Sequence, residues 1–168
     1  MKKILLTLGI LIAAYTQMTA QTVNDLFKEF KNRQHVECVE VSPAMMGLVK
    51  MKSKKEEGGD FIKKISSIKI LSIEDDSDLC MEFRNKASKL QKNGYETLVN
   101  SNEDNEKTLI LAKTKEDYIT EMVILNLEPK ECALVQIKGK LKSSDIEACE
   151  NLNFWSTLSI ISSESLGV

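Results

Sequence analysis

From Tyr95 to Leu141 the chain reads YETLVNSNEDNEKTLILAKTKEDYITEMVILNLEPKECALVQIKGKL. Apolar and polar residues alternate over four segments of it: Tyr95 to Ser101, Thr108 to Thr114, Ile119 to Leu127 and Cys132 to Leu141. A period of two is the mark of β-strands. The links between them, Asn102 to Asn105, Lys115 to Asp117 and Glu128 to Lys130, are short and polar. Links of that length cannot hold a crossover helix, so each strand must turn back antiparallel to the one before it. In the third segment Met122, Val123, Ile124 and Leu125 are all apolar, which predicts a central strand covered on both faces.

Upstream of the meander the period becomes helical. Leu79, Phe83, Ala87 and Leu90 share one face of a helix predicted over Asp78 to Asn93. Asp75, Asp76 and Ser77 can cap its start, and Gly94 can stop it. Ile65 to Glu74, rich in β-branched residues, predicts a further strand. Lys50 to Asp60 (KMKSKKEEGGD) reads as a charged loop, and Ala44 to Val49 as an apolar segment, helical or extended. His35 to Ser42 alternates like a strand, with Val39 and Val41 on one face. Before it, Thr22 to Arg33 predicts a short helix with Leu26, Phe27 and Phe30 on its apolar side. Downstream, Ser143 to Asp145 opens a last helix with Ile146 and Ala148. Together these predict a single α+β domain over residues 21–150, a mostly antiparallel sheet with helices packed on one face. An apolar tail, residues 151–168, follows.

The first twenty residues stand apart. Met1-Lys2-Lys3 is a basic head, and Ile4 to Ala14 is an almost unbroken apolar run, too short to cross a bilayer. This is the form of a secretory signal peptide, with cleavage expected between Ala20 and Gln21. Its removal leaves 148 residues and, with Lys2 and Lys3 gone, shifts the formal charge from −2 to −4. An acidic balance offers no general field for nucleic acid. No other apolar stretch is long enough to span a membrane. The expected location is extracytoplasmic, periplasmic or secreted. Export permits disulfides among Cys38, Cys80, Cys132 and Cys149. Four cysteines allow three complete pairings, and their spacing leaves the choice open.

Phe30, the segment VECVEVSPAMMGLV, the strand ISSIKILSIE, the run GYETLVNSNEDNEKTLILAKTKEDYITEMVILNLE and the ending LVQIKGKLKSSDI carry a resemblance. In this order, with Tyr95, Leu98 and Gly139 as distinctive positions, the chain resembles a family of exported Bacteroidetes proteins catalogued only as a domain of unknown function. The resemblance implies a small secreted α+β domain and assigns no functional residue.

The search for chemistry finds no catalytic signature. His35 is the only histidine, and no G-x-S-x-G surrounds any serine. Asp75, Asp76 and Asp78, joined by Glu74, lack the glycine and distal glutamate of an EF-hand; capping accounts for them. Asn102 to Glu106 reads as a hairpin tip. Lys50, Lys52, Lys54 and Lys55 are followed at once by Glu56 and Glu57, which halves their field. Met45, Met46 and Met51 suit core filling or an adaptable surface. Phe154, Trp155, Leu158, Ile160 and Ile161 make the tail either a docked segment or a contact patch. No metal or cofactor site is expected. The reading is of a non-enzymatic binding or protein-interaction domain whose partner is an envelope protein, lipid or glycan. The alternative is a small enzyme or thiol-redox protein whose site converges only in the fold.

Overall fold

A computed structural model describes residues 21–52 and 59–145. The leader through Ala20, the stretch 53–58 and everything from Ile146 onward lie outside the described residues. The signal cleavage, Cys149, the last helix beyond Asp145 and the apolar tail fall there.

Thr22 starts α1 (Val23–Phe30) with a reciprocal cap. Its side-chain oxygen accepts from the Asp25 N–H at 3.2 Å, while the Asp25 carboxylate accepts from the Thr22 N–H at 3.0 Å. Val23, Leu26, Phe27 and Phe30 are buried along one face. Strand β1 (Val36–Val41) follows. Ser42 then opens α2 (Pro43–Lys52): its carbonyl accepts from the Met46 N–H at 2.9 Å, and Pro43 takes the first helical position, where no donor is needed. The expected loop Lys50 to Asp60 is therefore shorter than the sequence suggests. Lys50 to Lys52 complete α2, and Gly59 and Asp60 begin α3 (Gly59–Lys64). Lysine and methionine extend a helix readily, so charge alone was a poor guide to the boundary.

Strand β2 (Ile65–Ile73) leads to α4 (Ser77–Ala87), where the Asp76 carboxylate accepts from the Leu79 N–H at 2.9 Å. After Ala87 the helix tightens into a 3₁₀ turn over Ser88–Lys92, still burying Leu90. Gly94, at φ 71°, ends it. The meander then follows as β3 (Glu96–Glu103), β4 (Glu106–Lys115), β5 (Tyr118–Leu127) and β6 (Cys132–Leu141). Between β3 and β4, Asp104 and Asn105 hold φ 41° and 76°, the left-handed pair that a two-residue hairpin requires.

All six strands form one antiparallel sheet in the order β1-β2-β6-β5-β4-β3. Leu71, Leu134, Leu125 and Leu109 line up across four strands beneath α1 and α4. Phe30 and Phe83 meet edge to face above them, their centroids 5.2 Å apart. On the opposite face Ile68, Ile137, Met122 and Ala112 line up, packed with Met46 of α2 and Phe61 of α3. The α+β class and the antiparallel sheet hold, but the helices divide between both faces rather than sharing one. The cause is apolar residues of both parities on the middle strands. Met122 to Leu125 are all buried, and such a strand needs cover on each side.

Candidate functional site

Beneath α1 and α4 the sheet is apolar for two cross-strand lines and then changes character. Two residues beyond Leu71 and Leu134 on the same face stand Lys69 and Gln136; two further on, Lys138, Glu121 and Lys113 face the same way. Tyr95, between Gly94 and β3, packs against the edge of this core. Tyr95, Glu121, Gln136 and Lys113 form one network. The Tyr95 hydroxyl donates to Glu121 Oε1 at 2.7 Å, and Gln136 Nε2 donates to the same oxygen at 2.6 Å. Lys113 Nζ lies 4.0 Å from the other Glu121 oxygen and 4.2 Å from the centre of the Tyr95 ring. Burial, and then the hydrogen bond to Glu121 and its charge, push the Tyr95 phenol well above its ordinary range. Tyr95 is therefore a fixed donor and a poor base.

Gln136 is the unusual member. It is 2% exposed, the one polar or charged residue buried among the described residues. Its amide nitrogen is engaged by Glu121, and among the described residues no donor reaches its Oε1. Reversing the amide would set its oxygen against the carboxylate, so the orientation is fixed by its neighbour. A buried acceptor without a donor costs about 1–3 kcal/mol.

At its β1 end the row opens into a groove of about 370 Å³ between α1 and the outer strand. Asn24, Phe27, Lys28 and Lys31 line one wall; Cys38, Val39, Glu40 and Lys69 line the other. Lys69 belongs to both groove and row. It pairs with Glu40 at 2.8 Å and lies 5.9 Å from the Phe27 ring centre. Gln136, the strand partner of Lys69, does not line the groove; with three lysines against Glu40 the groove can receive a group rich in acceptors.

The residues singled out from sequence do not converge here. Cys38 is exposed in the groove, while Cys80 and Cys132 lie in the core. Cys149 is outside the described residues. His35 is exposed at φ 61°, its carbonyl accepting from the Glu74 N–H at 3.1 Å across a shallow depression lined by Glu37, Glu74 and Asp75. Asp76 serves as the α4 cap. The Asn102–Glu106 tip is tied to the body by Arg84, whose guanidinium donates to the Asn105 and Leu127 carbonyls at 3.0 and 2.9 Å. Of the methionines, Met46 is buried and Met45 is exposed. Sequence reasoning passed over Tyr95 as a polar group, Glu121 and Gln136. One signal was available: Gln136 sits between Val135 and Ile137 at the parity of Leu134, an inward position that should be apolar.

Residues 30–149 match a family described as a domain of unknown function (DUF4252). No curated protein and no solved structure matches the chain.

Proposed function

Since the chain belongs to the DUF4252 family, a domain of unknown function, we propose from its own geometry that it is an exported, non-enzymatic binding domain. In this reading the polar row and the groove beside it receive the ligand. Export rests on the leader pattern of Met1 to Ala20. The observation that carries the binding reading is Gln136 Oε1, a buried acceptor with no donor among the described residues. A ligand that presents a hydroxyl or amine there removes a standing penalty, which is a direct source of affinity. The neighbouring groups favour binding over catalysis. The Tyr95 phenol is held protonated and already donates. An envelope protein, a lipid headgroup or a glycan can each supply such a donor.

The test is to express the full chain with its leader, purify it from the envelope fraction and record native mass spectra of wild type and Gln136→Leu. A bound mass released from wild type on denaturation and missing from the variant supports the reading. The absence of any bound mass, together with a crystal structure showing only an ordered water on Oε1, sinks it.

A further inference from the structure

Cys80 lies in the first turns of α4, and Cys132 is the first residue of β6. Both are buried in the same cluster, 0% and 2% exposed. Both are free thiols in the structure. The Cys132 thiol approaches the Cys80 carbonyl at 3.9 Å and the Glu128 carbonyl at 3.6 Å. The backbone holds this meeting in place. The Asp76 N–H donates to the Lys130 carbonyl at 3.3 Å, and the Cys80 N–H donates to the Asp76 carbonyl at 2.9 Å. The start of α4 is thus fastened to the turn that precedes Cys132.

Cys38 is not a competitor for Cys132 in the native chain. It pairs with Leu71, which pairs with Leu134, so β2 stands between Cys38 and β6. Two strand spacings amount to about 9–10 Å, beyond the roughly 7 Å between Cα atoms that a disulfide tolerates.

We infer that Cys80 and Cys132 are the partners of an intramolecular disulfide when the chain folds under oxidising conditions. The oxidant is a small disulfide. One protein thiolate attacks it, forming a mixed disulfide and releasing one small thiolate. The second protein thiolate attacks the protein sulfur of that mixed disulfide and releases the other. Two protons pass from the cysteines to the released thiolates, the protein dithiol is oxidised, and the small disulfide is reduced to two thiols. Burial keeps both cysteines protonated and out of contact with the oxidant once folding is complete. The bond therefore forms during folding and acts as a staple between α4 and β6, not as an exchanging redox centre.

The full chain, reduced, unfolded and refolded in mixed reduced and oxidised glutathione, is alkylated and mapped by peptide mass spectrometry. The expected product links Cys80 to Cys132, and its denaturation midpoint exceeds that of the chain refolded under full reduction. Folded protein with both thiols alkylated, or with either joined to Cys38 or Cys149, overturns the assignment. A Cys38→Ser, Cys149→Ser double variant retains the two thiols alone. It should show an oxidation-dependent shift in non-reducing gel mobility, and a folded variant that shows none overturns the assignment as well.

Discussion

One face of the sheet has two halves that differ in kind. The half nearer the start of β6 presents Leu71, Leu134, Leu125 and Leu109 to Phe30 and Phe83, and every one of these side chains is essentially fully buried. The other half, on the same strands, presents Lys69, Gln136, Glu121 and Lys113. The first half is where burial stabilises the domain, at about 25 cal/mol per Å² of apolar surface removed from water. The second mixes the buried Val123 and Leu111 with these polar groups and holds an unmet acceptor. An unmet buried acceptor in an otherwise well-patterned fold points to a role beyond folding.

The largest test of this contrast falls in the apolar half. Phe83→Ala removes the ring that meets Phe30 and leaves a cavity between α4 and the sheet. It should cost about 3–5 kcal/mol in urea denaturation. A loss below about 1 kcal/mol would show that α4 is not part of the cooperative core.

Next in size is Gly139→Ala, just past the polar half. A Cβ there would sit 2.4 Å from the Lys64 carbonyl oxygen and 3.1 Å from Ile65 Cα, both backbone atoms. Strands β2 and β6 must move apart at this point, at a cost of about 1–3 kcal/mol. This explains on steric grounds why Gly139 stands out in the chain. Unchanged stability would mean that the two strands do not approach so closely in solution.

The apolar half and the sheet were legible in the sequence because both rest on repetition. Alternation fixed β3 to β6, and the unbroken run Met122 to Leu125 marked the strand at the sheet's middle. The division of helices between the faces was implicit in that same run and was missed. An expectation of all helices on one face leaves the other face of that strand without cover. The polar half could not be read the same way. Tyr95, Glu121 and Gln136 come from three separate strand regions, and nothing local in the chain states that they meet. Strand register alone brings Glu121 and Gln136 together, and register follows from pairings far apart in sequence. The cysteines repeat the lesson, since Cys80 and Cys132 meet only once α4 has docked.

A smaller effect separates the halves by pH. Tyr95 in the folded chain holds its proton above its unfolded value of about 10. Its contribution is therefore intact below pH 10. It is lost as pH rises further, because the unfolded chain releases a proton that the folded chain keeps. Wild type should lose stability above pH 10 more steeply than Tyr95→Phe, by about 1.4 kcal/mol per pH unit. Identical slopes in the two proteins would mean that the phenol is neither buried nor held by Glu121 in solution.

The smallest expected change in stability is also the most informative. Gln136→Leu places an apolar side chain where the rest of the face would have one and removes the unmet acceptor. It also deprives Glu121 of one donor, while Tyr95 remains. These effects oppose each other, so stability should stay within about 1 kcal/mol of wild type, on either side. Phe83→Ala and Gln136→Leu thus probe buried positions on one face, with large and small outcomes. A loss of several kcal/mol at Gln136 would place the row with the stabilising core. A near-neutral result, alongside loss of the bound mass, separates binding from stability at the level of one side chain.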